Sequence, residues 1–360
     1  MGFKGFPLPT YLYSLLAQEL ALWHEGSMIL NRDFKAILGA FQAMSVGNGK
    51  FASNLSNNFK NQFWNWRTIA QLIFLAIVIT CSILAWNTLA RNMRNSGLAI
   101  SFDFLSDPAS FDIADSPFPY QASDSYTVAL QVGLLNSLKA IAVSIISATV
   151  VGVTVGVSRL SDNWLVKQLA RVYVEILRNT PLLLQLFFWY SAIFLTLPSA
   201  SDRISLGFAT LAKDGITITA LKMTLSSEFC ALVLGLTMFS SAFIAEIVRG
   251  GILSVPKGQS EAAKALGLSN LQTMRKIVLP QALRVIIPSL TSQYVNIAKN
   301  SSLAIAIGYT DVYRIASTTI NQTGRPVNVI LIIMGVYLAM SLTISGSMNL
   351  LNRQFQIVER

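Results

Sequence analysis

Six apolar runs constrain the fold of this chain more than any other feature. They cover residues 68–88, 131–157, 181–197, 226–252, 283–307 and 327–349. Each is close to the roughly 20 residues that an α-helix needs to cross a bilayer. The hydrophobic fraction of 53% and the charged fraction of only 12% agree with a bilayer environment. The sequence therefore predicts an all-α integral membrane protein with about six transmembrane helices.

The basic residues predict the orientation of these helices. Cytoplasmic loops of membrane proteins carry an excess of lysine and arginine. Basic residues occur in 1–67, 158–180 and 253–282, whereas 89–127 is rich in aspartate. We therefore expect both termini and the 253–282 loop to be cytoplasmic. The excess of basic residues in cytoplasmic loops then explains the net charge of +10. Nucleic-acid binding is not expected, because the basic residues are spread over short loops and form no clustered patch.

Three regions are predicted along the chain. Residues 1–67 form a cytoplasmic extension in which a helix capped by Thr10 either lies in the membrane interface or packs on a neighbouring subunit. Residues 68–126 comprise the first transmembrane helix and an irregular external loop that caps the outer face. Residues 127–350 form the membrane core, which contains a polar cytoplasmic loop at 256–280.

The sequence offers no residues for metal or catalytic chemistry. Cys81 and Cys230 lie in apolar runs and His24 is the single histidine, so neither a disulfide framework nor a metal site is expected. The phosphate-binding pattern Gly-x-x-x-x-Gly-Lys-Ser/Thr is absent from the sequence, and so is a Ser/His/Asp arrangement. We expect no cofactor on this chain, no enzymatic activity and no ATP hydrolysis by the chain itself.

The polar loop reads EAAKALGLSNLQTMRKIVLP over 261–280 and predicts a helix-turn-helix. Ser260 is predicted to cap the first helix and to place Glu261 in its first turn, beside the positive end of the helix dipole. The alanines leave one side almost free of side chains, where a partner can approach. Gly267 fits the left-handed residue that closes many helices.

The second helix of this hairpin has its own start and stop signals. Ser269 and Gln272 form a capping box, and Pro280 is predicted to end the helix. Leu279 and Pro280 would join the hairpin rigidly to the next span. A capped surface hairpin without a partner is the plainer interpretation of the same residues.

The spacing of the hairpin residues matches the cytoplasmic coupling loop of ATP-driven import permeases. The pattern is Glu-Ala-Ala, three residues, Gly, nine residues, Ile-x-Leu-Pro. The runs YVEILRNTPLLLQLFFWY and KNSSLAIAIGYTDVYRIASTTINQTGRP resemble the polar amino-acid branch of type I ABC import permeases. Within that branch the chain is similar to the larger permease of general L-amino acid transporters.

This resemblance implies a fold, an activity and a set of partners. The fold is the type I importer transmembrane domain, and the activity is import of neutral, acidic or a broad range of L-amino acids across the bacterial inner membrane. The implied partners are a second, different permease, two ATP-binding subunits that hold ATP and magnesium, a periplasmic binding protein, and membrane lipid. The residues expected to engage the ATPase are Glu261, Ala262, Ala263, Leu266, Gly267 and Leu268, with Leu279 and Pro280 as the rigid link.

A polar stripe in the 283–307 span is the main candidate for substrate contact. Gln293, Asn296 and Asn300 recur at helical spacing beside Lys299. In one interpretation they line the path, where Lys299 would bind the carboxylate of an amino acid and the amide oxygens of Asn296 or Asn300 would bind its ammonium group. In the other they form interhelical hydrogen bonds. Further candidates for the path are Gln185, Ser240 and Ser241.

Position 300 also bears on specificity. Many relatives that import cationic amino acids carry an aspartate where this chain has Asn300, so neutral or acidic substrates are favoured over cationic ones.

Two residue pairs predict structural contacts. Glu246 and Arg249 predict a local ion pair, and Gly152 with Gly156 predicts close helix packing.

Other function classes explain the sequence less well. A secondary transporter usually shows inverted repeats, and an ion channel shows a repeated pore loop, but neither is found in the sequence. A non-transporting membrane scaffold is the remaining alternative. All three leave the hairpin pattern unexplained.

Overall fold

A computed structural model describes residues 66–95, 101–221 and 223–355. The helices are α1 (Trp66–Asn95), α2 (Tyr126–Ser158), α3 (Trp164–Asn179), α4 (Leu182–Phe187), α5 (Ser227–Leu253), α6 (Lys257–Ala265), α7 (Asn270–Thr273), α8 (Leu279–Asn300), α9 (Val312–Thr323) and α10 (Pro326–Phe355). Tighter or wider helical turns cover Asp103–Ser106, Phe188–Ile193, Phe194–Thr196, Met274–Val278 and Ser301–Ile307. The strands are β1 (Ile204–Ser205), β2 (Ala209–Ala212), β3 (Gly215–Ile218) and β4 (Met223–Ser226).

The chain divides after residue 98 into two units, and α1 is the described part of the first. Within α1, residues Thr68–Asn92 are apolar and long enough to cross a membrane, which confirms the first predicted span. Residues 1–65 lie outside the described part of the chain. The helix predicted after Thr10 therefore stays a prediction.

Three further spans match the sequence prediction, and two differ from it. The helices α2, α5 and α10 are each long and apolar enough to cross a membrane. The span predicted at 181–197 is a shorter apolar helical segment, Leu182–Thr196, which follows a break at Thr180 and Pro181. The span predicted at 283–307 is α helix only to Asn300, because the chain then tightens into the 3₁₀ turn Ser301–Ile307.

The segment 101–125 is irregular apart from the turn Asp103–Ser106, and it packs on α2, α9 and α10. Its external location stays a prediction. Asn136 of α2 holds the segment by donating from Nδ2 to the Asp115 carbonyl at 2.6 Å and to the Thr310 carbonyl at 3.0 Å. Asn328 of α10 donates to the Ser101 carbonyl at 2.5 Å. The bonds to Asp115 and Ser101 tie the segment to α2 and α10, and the bond to Thr310 ties α2 to the turn before α9.

The sheet between α4 and α5 departs from the all-α prediction. Its strands pair in the antiparallel order β1-β2-β3-β4. The turn between β2 and β3 places Gly215 at φ +134°, and an added Cβ there would lie within 3 Å of the Leu225 backbone. In the sequence, this sheet is indicated only by the alternation of apolar and polar residues in β3 (GITI) and β4 (MTLS).

Helices α2 and α5 approach closely because α2 presents glycine where α5 crosses it. A Cβ added to Gly152 would lie 2.6 Å from Ile244 Cβ, and one added to Gly156 would lie 2.7 Å from the Ala245 carbonyl oxygen. Small residues at a helix interface allow such contact in a membrane, where lipid supplies little driving force for association. The close packing predicted from Gly152 and Gly156 is confirmed.

We predict that Gly152→Ala lowers the thermal unfolding midpoint of the purified chain in detergent. The added methyl group overpacks the α2–α5 contact, which typically costs about 1–3 kcal/mol. Gly346→Ala in α10 is the matched control, since a Cβ there meets nothing within 4 Å. An equal or higher midpoint for Gly152→Ala would contradict the packing described here.

The carboxyl group of Asp311 caps α9 while fully buried. Its Oδ1 accepts a hydrogen bond from the Arg314 backbone N–H at 2.8 Å, and the residue is 0% exposed. Burial raises the pKa of Asp311 to about 7, although backbone N–H groups of Arg314 and Tyr313 oppose the shift. The pKa of Asp311 is higher in the folded protein than in the unfolded chain. Ionisation of Asp311 therefore lowers the stability as the pH rises from about 3.9, the unfolded pKa, to about 7, the folded pKa, and lowers it no further at higher pH.

We predict that Asp311→Asn makes the thermal midpoint less dependent on pH between pH 5 and pH 7 (about the interval set by the shifted pKa) and raises it at higher pH. Asparagine keeps the capping oxygen but carries no charge to bury. Differential scanning fluorimetry across pH measures the effect, with the exposed Asp162→Asn as control. The same pH slope in wild type and Asp311→Asn would exclude this role.

Candidate coupling hairpin and transport path

The first helix of the hairpin, α6, closes in the way its sequence predicts. Gly267 has φ +81°, its N–H donates to the Lys264 carbonyl at 2.9 Å, and the Leu268 N–H donates to the Ala263 carbonyl at 3.1 Å. This pair of bonds is the Schellman motif, which commonly brings the residue after the glycine against the last turn of the helix. Leu268 is accordingly half-buried, and Ala263 is only 3% exposed.

The start of α6 differs from the prediction. The helix begins at Lys257 after Pro256, so Ser260 does not cap it and Glu261 lies in the second turn. Proline fits this boundary because its fixed φ and missing N–H suit a helix start better than a helix interior. The predicted dipole interaction of Glu261 is therefore wrong.

The second helix begins as predicted but does not end there. Ser269 and Gln272 form both hydrogen bonds of the capping box. Pro280 was expected to stop the helix, yet the backbone continues from α7 through the π turn Met274–Val278 into α8. In that turn the Leu279 N–H donates to the Met274 carbonyl, five residues back, and Pro280, which has no N–H, follows as the second residue of α8.

The hairpin exposes apolar side chains on both sides of its turn. Leu266 is 83% exposed and Leu271 is 77% exposed. Glu261, Ala262 and Gly267 are exposed as well, whereas the Ala263 side chain packs inside the hairpin. Leu279 and Pro280 are exposed at the start of α8. Leu271 was missed in the sequence, where its only signal is an apolar residue directly after the capping box.

An ion-pair cluster lies where α5 approaches the hairpin. Arg249 donates to Glu246 Oε1 from Nη2 at 2.5 Å and from Nε at 3.2 Å, which confirms the predicted local pair. Arg159, just after the end of α2, also donates to Glu246. Burial lowers the pKa of Arg159, and the positive charges of Arg249 and Arg171 lower it further. The cluster therefore joins α2 to α5.

The polar stripe of α8 is accessible in this chain. Asn296 and Lys299 are exposed, and Gln293 and Asn300 are half-buried. Among the described residues, none of the four side chains makes a hydrogen bond or an ion pair. The interhelical hydrogen bonds that were the alternative explanation are thus not formed within this part of the chain. Lys299 lines a cavity of about 480 Å³ with four hydroxyl groups, those of Ser302, Tyr313, Tyr337 and Ser341.

Gln185 and Ser241 lie apart from that stripe, inside the packing around the bend at Pro181. Because Pro181 has no N–H, the Leu177 carbonyl lacks its helical partner, and Gln185 Nε2 donates to it at 2.9 Å. The Ser241 hydroxyl is 2.7 Å from the Tyr173 hydroxyl. Tyr173 and Gln185 line a second, largely apolar cavity of about 500 Å³.

Ser240 is also buried, at 3% exposure. The candidate path residues therefore fall into two groups, one on α8 and one around the bend between α3 and α4. The structure shows structural roles for Gln185 and Ser241, which the sequence analysis had placed on the path. Contact with substrate stays a prediction for both groups.

Comparison with known proteins identifies the family. The family described as binding-protein-dependent transport system inner membrane component matches residues 148–357, which include the hairpin and α8. The chain belongs to this family. The permease is therefore an integral membrane protein that works with other components of an ABC transporter.

Individual relatives agree with this assignment. The permease is 39% identical to the putative amino-acid ABC transporter permease protein YhdX of Escherichia coli (strain K12), over 79% of this chain and 93% of YhdX. It is 35% identical to the general L-amino acid transport system permease protein AapQ of Rhizobium johnstonii, over 79% and 92% of the two chains.

A solved structure shows the same fold. The crystal structure of an amino acid ABC transporter with histidines superposes with a TM-score of 0.51 and 30% identity, over 64% of the permease and 95% of that chain. The type I importer transmembrane fold predicted from the sequence is confirmed, and this chain contains the sheet β1–β4 besides its helices. Members of this family are membrane components of transporters and not enzymes.

We predict that Gly267→Val loosens the hairpin turn. A β-branched residue in the left-handed conformation costs about 1–2 kcal/mol, so residues 257–273 should exchange amide hydrogens faster. Hydrogen exchange with mass spectrometry on the purified permease measures the effect. Gly258→Val is the control because Gly258 is helical and a Cβ there meets nothing within 4 Å. Unchanged exchange in Gly267→Val would show that the left-handed residue does not hold the turn.

Proposed function

We propose that the permease forms one half of an ATP-driven importer of L-amino acids and that the hairpin 261–280 couples it to an ATPase. The exposure of Leu266 and Leu271 carries this proposal, since two leucines flanking a tightly closed turn are left 83% and 77% exposed. Exposed apolar groups on a rigid frame are typical of a protein interface. The hairpin is also continuous with α8, and its first helix, α6, begins after only three residues beyond the end of α5.

Amino acids are the substrate class that the relatives and the α8 stripe both favour. YhdX and AapQ carry amino-acid transport in their names, and each is aligned over more than nine tenths of its length. In the permease, Lys299 offers a cation for a substrate carboxylate beside four hydroxyl groups. Asn300 next to it offers an amide and no negative charge, which favours neutral or acidic side chains or a broad range.

The remaining parts of the importer follow from this proposal. A second, different permease completes the path in the bacterial inner membrane, and a periplasmic binding protein delivers the amino acid. Two ATPase subunits bind ATP and magnesium and receive the hairpins, so this chain itself holds no cofactor. Closure of the ATPases would move α5 and α8 together as a rigid-body change.

We predict that Leu266→Asp combined with Leu271→Asp prevents the ATPase from co-purifying with the permease. Removing two central apolar contacts from an interface typically weakens binding by about tenfold or more. The double variant and wild type are co-expressed with candidate ATPase and partner permease subunits and compared by affinity purification. Leu221→Asp is the matched control, because Leu221 is a 67% exposed leucine outside the hairpin.

Transport is then measured with the wild-type complex in proteoliposomes supplied with binding protein and labelled neutral, acidic and cationic L-amino acids. Uptake of neutral or acidic amino acids that requires ATP supports the proposal. Uptake driven by an ion gradient without ATP would indicate a secondary transporter. Normal recovery of the ATPase with the double variant would contradict the coupling role of the hairpin. Absence of uptake for every amino acid would contradict the substrate assignment.

A further inference from the structure

A small charged cavity lies beside the ion-pair cluster, away from the α8 stripe. Its volume is about 330 Å³, near the lower end of the range of about 300–1,000 Å³ for small-molecule pockets. Its polar lining comes from the end of α2, from α3 and from α5, and consists of Arg159, Glu175, Arg178, Asn179 and Glu246. Three separate helices therefore meet at a pocket of small-molecule size.

The charges in this cavity are unequally satisfied. Glu246 is engaged by Arg159 and Arg249. Glu175 and Arg178 are also three residues apart on one helix. Both are exposed, and neither side chain makes an ion pair or a hydrogen bond with another described residue. The Arg178 guanidinium lies 5.0 Å from the centre of the Phe243 ring, which holds it at the cavity wall. The Glu175 carboxylate lies close enough to Arg159 to oppose the lowering of the pKa of that guanidinium by burial, but the Glu175 and Arg178 side chains are free to form direct hydrogen bonds with a ligand.

The open charges suit a ligand that carries both signs. The lining contains two arginines and two glutamates, so its formal charge is zero and a simple anion would meet repulsion as well as attraction. The main chain of a free amino acid carries one ammonium and one carboxylate group. A guanidinium binds a carboxylate through two parallel hydrogen bonds, and a glutamate accepts hydrogen bonds from an ammonium group.

We propose that this cavity binds the main-chain ammonium group of an amino acid at Glu175 and its carboxylate group at Arg178. The site lies toward the cytoplasmic ends of α2 and α5, by the orientation that the basic residues indicate, and it therefore receives substrate on the cytoplasmic side of the path. It recognises groups that all amino acids share and is indifferent to their side chains. This inference rests on the proposed function, because it takes the transported molecule to be an amino acid.

Binding of labelled L-alanine to the complete transporter complex in nanodiscs, without nucleotide and without binding protein, tests the site. Glu175→Gln and Arg178→Gln should each weaken binding by at least about tenfold, because each removes a charged hydrogen-bonding partner. Lys167→Gln is the matched control, since it removes one exposed charge from the same helix outside the cavity. Lys299→Gln removes the cation of the α8 stripe, so labelled L-alanine that stays bound in this variant and is lost in Glu175→Gln and Arg178→Gln is bound at the cavity.

A ligand series on the wild-type complex tests the same proposal without any variant. L-Alanine and L-glutamine should bind alike, whereas L-alaninamide and N-acetyl-L-alanine should bind at least about tenfold more weakly, since each lacks one charge. N-acetyl-L-alanine binding as well as L-alanine would reveal an anion site and overturn the proposal. Amino-acid uptake together with binding unaffected by Glu175→Gln and Arg178→Gln would overturn the site and leave the proposed function standing. Absence of uptake for every amino acid would instead remove the proposed function.

Discussion

The close approach of α2 and α5 is the contact on which the rest of the core depends. Gly152 and Gly156 carry no side chains, so the backbone of α2 lies directly against Ile244 and Ala245. Three residues after Gly156 the chain reaches Arg159, and one residue after Ala245 it reaches Glu246. The ion pair between them therefore follows from the glycine contact. Lipid does not drive helices together as water does, so packing and hydrogen bonds of this kind hold the bundle.

The hairpin is a stiff extension of this core. On one side it follows α5 almost directly, and on the other it runs into α8 without a break. In a regular α-helix the Pro280 ring would clash with the carbonyl four residues earlier. The π turn Met274–Val278 precedes it and keeps the helix continuous. Because the Schellman closure at Gly267 fixes the angle between α6 and α7, the hairpin and α8 are expected to move as one body.

Features that depend on neighbouring residues were predictable from the sequence, and features that depend on packing were not. The capping box at Ser269 and the left-handed Gly267 are defined within a few residues. Glu246 was matched to Arg249 three residues away, but its second partner, Arg159, is 87 residues distant and is brought near only by the glycine contact. Ala263 looked like part of an open face, yet the Schellman closure turns it inward. The sheet was overlooked because its alternating strands are short and lie between apolar spans.

A polar group inside a membrane protein is costly unless a partner satisfies it, so the satisfied and unsatisfied groups can be separated by role. Gln185 Nε2 replaces the helical donor that Pro181 lacks, which gives this side chain a structural role, whereas its buried Oε1 has no partner among the described residues. The two Glu-x-x-Arg pairs show the contrast most directly. Glu246 and Arg249 are bonded to each other and to α2, so they serve the architecture. Glu175 and Arg178 have the same spacing, but both are exposed at the cavity and neither forms an ion pair among the described residues, so they do not join helices in this way.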